Sequence, residues 1–273
     1  MKIARLLLAT LISILAVGFY SDASYAADRV KVKIGVTGEI YNDLWGPAIK
    51  ELAGEGIDVE LISFSDYTLP NAALDAGEID LNTFQHHNYL NNEVKTKGYK
   101  ITAVADTFLS ALCVYSKNIK DLKELKRGDK IAIPGDAVNT GRALTVLQGA
   151  GLIKIDSSKG TLPEVTDVTE NKLELEFVQV DAAQIPSLLP DVAAGVINGG
   201  YAVDFGLNPA KDSIFFDDVS FYKDNGYINI VAARTADKDN EIYKRVIKAL
   251  QSEGVEQVFK EKFAGFFIPA WNR

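Results

Sequence analysis

From residue 30 onward, apolar and polar positions alternate and then switch period in a regular way. Val30, Val32, Ile34 and Val36 alternate with polar neighbours, which is the period of a half-buried strand. The spacing predicts a helix over 42–52, a strand over 57–64, a short helix over 69–76 closed by Gly77, and a strand over 79–84. A helix over 86–97 ends at Gly98, and strands over 99–108 and 111–116 follow. Strand, helix and strand in repeated succession mark an α/β chain built on mainly parallel sheet.

A second α/β stretch then begins. It reads as helix 121–125, strand 130–133, helix 140–150, a polar stretch over 156–171, strand 173–180, helix 182–189, strand 192–197 and helix 201–207. Strands over 214–217 and 227–233 come next. A last helix starts near Asp239, its apolar residues Ile242, Val246, Leu250, Val255, Val258 and Phe259 at helical spacing, with Gly254 a point of break or kink. No period of 20 to 50 residues repeats, which excludes solenoids and propellers.

Two α/β halves with a helix left over imply two lobes. The expected division puts 27–116 and 223–273 in the first lobe and 117–222 in the second. The chain then crosses between lobes near Ser116 and near Lys223. Two linkers make a hinge, and a cleft between hinged lobes is a natural small-molecule site.

The first residues follow another pattern. Lys2 and Arg5 precede a run from Leu6 to Tyr20 that is apolar apart from Thr10, Ser13 and Gly18, and small residues stand at Ser24 and Ala26. A basic start, an apolar stretch and small residues before a polar segment describe a secretory signal peptide, with cleavage expected after Ala26. A membrane anchor is the competing reading, but spanning hydrocarbon takes about 20 apolar residues.

Composition narrows the function. The 273 residues are 47% hydrophobic and 24% charged, ordinary globular values that exclude intrinsic disorder. A net charge of −8 without a Lys/Arg block argues against nucleic-acid binding. A single cysteine, Cys113, permits no intramolecular disulfide and no Cys-based zinc site; lying in the apolar run Ala111–Tyr115, it reads as a buried small hydrophobe. His86 and His87 are adjacent, so a regular element would point them to different faces, and no metal site or cofactor is expected. No G-x-S-x-G, H-E-x-x-H or Gly-rich dinucleotide turn is present, and the Asp217-Asp218 pair reads as solvated surface charge. Binding is therefore favoured over catalysis.

Candidate binding chemistry gathers at strand ends. Gly135 to Arg142 joins a strand to a helix, where free N–H groups and the planar Arg142 fork suit a carboxylate or phosphate. A surface arginine is the alternative. Tyr67, Phe84, His86 and Tyr89 follow two strands of the first half; they suit an apolar or sulfur-containing side chain, or are core and rim residues. Asn198 ends a strand before Gly199-Gly200, and Asn229 lies inside an apolar strand, where its amide serves either a ligand ammonium or an internal hydrogen bond.

Several of these segments resemble the NlpA/MetQ family of methionine-binding proteins. They are F-S-D-Y-T-L-P-N-A-A-L at 64–74, I-D-L-N-T-F-Q-H-H-N-Y-L at 79–90, N-T-G-R-A-L at 139–144, G-L-I-K at 151–154, V-I-N-G-G-Y-A at 196–202 and L-N-P-A-K-D-S-I-F at 207–215. The resemblance runs in order along essentially all of the chain after the leader. It implies a two-lobed, type II-like periplasmic binding protein that delivers L-methionine to an ABC permease in the inner membrane. Arg142 would take the ligand carboxylate, Asn198 and Asn229 its polar backbone, and Tyr67, Phe84, His86 and Tyr89 its side chain. Other ligands in the same fold are D-methionine, a methionine-containing dipeptide or another small carboxylate or sulfonate; a periplasmic sensor is a third reading. Two departures stand out. The leader lacks a lipobox cysteine, which implies a freely diffusing periplasmic protein without a lipid anchor. Gly199 and Gly200 stand where the family often has bulkier polar residues, which leaves room beside the ligand.

Overall fold

The computed structural model describes residues 29–217, 225–263 and 266–271. The expected leader and the expected second crossing near Lys223 lie outside the described residues. Along the chain the elements run β1 (Val30–Thr37), α1 (Ile40–Gly54), β2 (Ile57–Phe64), α2 (Pro70–Asp75), β3 (Leu81–Asn82), α3 (His87–Lys97), β4 (Ile101–Ser110) and β5 (Leu112–Tyr115). Next come β6 (Lys130–Pro134), α4 (Ala137–Gly149), β7 (Lys154–Ile155), β8 (Val168–Glu170), β9 (Glu176–Val180), α5 (Ile185–Leu188) and β10 (Ala194–Asn198). The chain closes with α6 (Gly199–Asp204), α7 (Pro209–Asp212), β11 (Ser213–Phe215), β12 (Ile228–Arg234), α8 (Glu241–Leu250), α9 (Glu253–Lys262) and β13 (Phe267–Pro269).

The strands form two principal sheets, one per lobe. The first has the order β13-β4-β12-β3-β1-β2 and the second β11-β5-β10-β6-β9, while β7 and β8 pair separately. Neither sheet is mainly parallel. In the first, β1 runs parallel to β2 and β3, whereas β12 is antiparallel to β3 and β4, and β13 to β4. In the second, β6 is parallel to β9 and β10, and β5 is antiparallel to β10 and β11. The mixture has a topological cause: the chain leaves the first sheet along β4 and re-enters it along β12, so the two long strands meet head to tail.

The first crossing also differs from the expected one. β5, placed in the first half by its proximity to β4, pairs in the second sheet, so the chain changes sheets at Ala111 and not near Ser116. All four β5 residues are buried, which a strand inside a sheet covered on both faces requires. Cys113 is among them, and burial pushes its thiol up to about 12, so it stays protonated.

Each sheet is covered on both faces. Ile40, Leu44, Trp45, Ala48 and Leu52 make one apolar stripe of α1 and pack with Val32, Ile34 and Val36 of β1. Val246, Leu250, Val255 and Phe259 of α8 and α9 join that core, so the C-terminal stretch packs on the first lobe. The expected single terminal helix is two. The break falls at Gln251 and Ser252, where Gln251 donates to the Ile247 carbonyl to end α8, and Gly254 lies inside α9. In the second lobe Ile131, Ile133, Leu144, Leu147 and Val196 build the core on one face, and Cys113, Tyr115, Ile185 and Leu189 on the other.

Candidate functional site

Between the lobes lies a cavity whose empty volume, open solvent included, is about 520 Å³. All seven sequence candidates line it: Arg142, Asn198, Asn229, Tyr67, Phe84, His86 and Tyr89. Each comes from the end of a strand or the first turns of a helix, so the two sheets aim their termini at one space.

The first lobe contributes a wall of rings. Tyr67 follows β2, Phe84 follows β3, and Tyr89 stands in the first turn of α3. Their ring centroids are 5.8 to 6.1 Å apart with tilted or edge-on planes, the arrangement that aromatic quadrupoles favour. The Tyr89 hydroxyl donates to the Tyr67 carbonyl at 3.0 Å, which ties the wall to its loop. Behind it sits a buried amide triad. Asn71 and Gln85 exchange bonds of 2.8 and 2.6 Å, Asn82 Nδ2 donates to Asn71 Oδ1 at 2.9 Å, and Gln85 Nε2 also donates to Asn82 Oδ1. A buried, satisfied network of this kind rigidifies the β3–α3 segment that carries Phe84 and His86.

His86 caps α3 and reaches across the cleft. Its Nδ1 accepts the Tyr89 backbone N–H, so Nε2 carries the proton and faces Asn139 Oδ1 of the second lobe at 3.4 Å. Burial, reinforced by the nearby Arg142 cation, lowers its pKa to about 3, so the imidazole is neutral at physiological pH. His87 instead faces Asp106 Oδ1 at 2.6 Å, so the adjacent histidines diverge.

The second lobe contributes polar groups. α4 starts at Ala137, three residues before the expected Thr140, because Asp136 caps it by accepting the Asn139 N–H at 2.9 Å. The helix end is already served by a carboxylate, and Arg142 stands in the second turn, not at the terminus. Arg142 is nonetheless no surface arginine, being only 2% exposed. It donates to the Ser110 carbonyl at 2.6 Å and lies 3.4 Å from Asp217 Oδ2, with its guanidinium carbon 4.6 Å from the Tyr227 ring centroid. Asp217 is thereby corrected as well. It is buried, and its carboxylate also accepts the Leu112 N–H, because the segment after β11 runs back beside the crossing at Ala111. Asp218 lies outside the described residues.

Asn139, overlooked in the sequence except as part of its motif, is the hub of the polar side. It donates to both Asp136 oxygens and accepts Asn198 Nδ2 at 3.1 Å. The Asp-x-x-Asn spacing of a capped helix start was the available signal. Asn198 Oδ1 is buried without a hydrogen-bond partner. Asn229 donates to the Phe108 carbonyl at 3.2 Å, so part of its amide is satisfied internally. Gly199 is dictated by packing: a Cβ there would stand 2.7 Å from the Phe267 ring. At Gly200 a Cβ would meet only Ile40 at 3.7 Å, so this glycine leaves space in the cavity. Ser110, Ile40 and Tyr41 line the cavity too, and nothing in their local sequence marks them.

Two lobes on separate sheets, joined by crossing strands and holding a buried cation, amides and an aromatic wall between them, define a two-lobed substrate-binding protein. The chain belongs to the NlpA lipoprotein family, whose family model matches residues 32–271. It is 44% identical over 218 residues to the D-methionine-binding lipoprotein MetQ of Yersinia pestis, covering 79% of each chain. Among solved structures it is similar to a nutrient-binding protein from Burkholderia cenocepacia bound to methionine, with TM-score 0.83 and 40% identity over 88% of this chain and 99% of that one. It is also similar to an ABC transporter, periplasmic substrate-binding protein from Coxiella burnetii, with TM-score 0.81 and 36% identity over 88% and 100%. The family and the Yersinia relative carry the word lipoprotein in their names, which gives no support to the expectation of a chain without a lipid anchor. Among the described residues, no helix is long and apolar enough to cross a membrane.

Proposed function

We propose that the protein captures L-methionine outside the cytoplasm and delivers it to an ABC permease in the inner membrane, as a binding component without catalytic activity. The observation that carries this reading is one cavity holding a buried guanidinium, an unpartnered amide oxygen at Asn198 and a wall of three aromatic rings. Arg142 holds the carboxylate, Asn198 Oδ1 and Asn229 the ammonium, and Tyr67, Phe84, His86 and Tyr89 the thioether chain. The named methionine complex of the Burkholderia protein supports the ligand.

The energetics are adequate. Charge-assisted hydrogen bonds contribute about 1.5–3 kcal/mol each, and burying a methionine-sized side chain about 1.5–3 kcal/mol. A nanomolar site needs about 12 kcal/mol, so lobe closure and preorganisation contribute the remainder. A second reading, D-methionine, is favoured by the names of the relatives. Native mass spectrometry of the purified protein tests the class of ligand: a retained mass of methionine is expected, and a different retained mass contradicts it. Calorimetry with each enantiomer then orders the two readings.

Export follows from the leader, with cleavage after Ala26 releasing the chain into the periplasm. The mass of the exported protein checks this; an uncleaved or lipid-modified chain would overturn it.

A further inference from the structure

Asp204 and Tyr201 sit close to the cleft, yet neither lines the cavity. Tyr201 stacks on Tyr67 of the opposite lobe at 4.8 Å between centroids. Asp204, at the end of α6, accepts the backbone N–H of Glu39 at 3.0 Å, and Glu39 is the first residue of the α1 terminus in the other lobe. α1 has no side-chain cap of its own, since the Glu39 carboxylate accepts Asn42 Nδ2 instead. Gly38 adopts φ +101°, and a Cβ there would stand 2.5 Å from Asp204 Oδ2, so the close approach of the carboxylate depends on glycine. The two partners are elements of the site: α1 begins with Ile40 and Tyr41, and α6 with Gly199 and Gly200, all four on the cavity.

We infer that Asp204 is a closure latch: it caps α1 across the cleft only when the lobes are shut, and so sets how long the ligand is held without touching it. A carboxylate at a helix N-terminus satisfies an otherwise orphaned N–H and meets the positive end of the helix dipole. In an open form the lobes part, Asp204 returns to water and the α1 terminus is hydrated. The contact therefore stabilises the closed form alone, and its loss acts on dissociation more than on association. The inference rests on reading the cleft as one that closes over methionine.

Stopped-flow dissociation of methionine from the full protein tests the latch. Asp204→Ala is expected to raise the off-rate about three- to tenfold with the on-rate unchanged, the scale of a lost helix cap at an exposed rim. Asp204→Asn, which keeps an acceptor but not the charge, falls between the two. The thermal midpoint of the ligand-free protein stays the same, while that of the bound form drops. An unchanged off-rate, or an equal loss of stability with and without ligand, would overturn the latch. Failure of the methionine reading shows differently, as no binding by the unsubstituted protein. The latch is then read from the lobe–lobe distance between spin labels at Lys95→Cys and Lys172→Cys, on protein carrying whatever ligand it retains. A broader, longer distribution in Asp204→Ala supports the latch, and identical distributions contradict it.

Discussion

The two walls of the cavity are built on opposite principles. The first-lobe wall is three rings braced by a buried amide triad, shape and polarizability with little charge. The second-lobe wall is a cation, a hub asparagine and an orphaned carbonyl oxygen, charge and hydrogen bonding with little apolar area. Amino acids share their charged ends and differ in side chain; on the proposed reading Arg142 and Asn198 of the second lobe, with Asn229 of the first, read what all of them have, and the first-lobe rings read what distinguishes one. On that reading neither wall suffices: a ligand seated on one alone leaves the other's groups in water, which would give closure its driving force.

Breaking the polar wall has the largest expected effect. Arg142→Ala removes the charge that meets the carboxylate and leaves Asp217 without its buried cation, so affinity should fall by about 30-fold to several thousandfold, the range for truncating one partner of a buried charged pair. The loss should be similar for every amino acid the protein binds, and titration calorimetry reads it. Breaking the aromatic wall is expected to be selective. Phe84→Ala should weaken methionine by about tenfold or more, from about 1.5–3 kcal/mol of lost apolar burial, while changing a small ligand such as alanine much less. Equal losses for both ligands would contradict the division of labour.

The brace behind the rings sharpens the comparison through stability. Gln85→Ala strands the buried amides of Asn71 and Asn82, each at about 1–3 kcal/mol, and the urea midpoint should fall accordingly. The last effect, absent at neutral pH, concerns His86. Its folded pKa is depressed to about 3 by burial against an unfolded value near 6.5. Between those values the unfolded chain binds the additional proton, so this contribution is fully present above about 6.5 and is lost as pH falls toward 3. The slope is at most about 1.4 kcal/mol per pH unit. His86→Gln should flatten the acid limb of stability, measured by denaturation across that window.

The parts legible in the sequence were those with local signatures. Arg142, Asn198 and Asn229 stand near strand ends or inside apolar runs, and Tyr67, Phe84, His86 and Tyr89 follow two recognisable strands, so periodicity and turn chemistry mark them as candidates, while surface, core and rim roles stay open until the family resemblance gives them a binding role. What stayed hidden depends on contacts between distant segments. Asp217 looked like surface charge because its partners, Arg142 and Leu112, are 75 and 105 residues away. The Asn71–Asn82–Gln85 triad is three ordinary polar residues until α2 folds over β3. β5 reads as a continuation of β4, since one residue, Ala111, separates strands of different sheets. The start of α4 differs from the sequence expectation because its first turn sets an exposed alanine and a polar asparagine, Ala137 and Asn139, around the buried Val138, with no continuous apolar stripe to mark it.

The central claim is that one cavity reads the charged ends of methionine with Arg142 and Asn198 of the second lobe and Asn229 of the first, and its side chain with the first-lobe rings. Calorimetric titration of L-methionine into protein stripped of ligand by unfolding and refolding tests it most directly. The account predicts submicromolar binding, more than about 8 kcal/mol, that collapses in Arg142→Ala. No heat with L-methionine, D-methionine or a methionine dipeptide would contradict it.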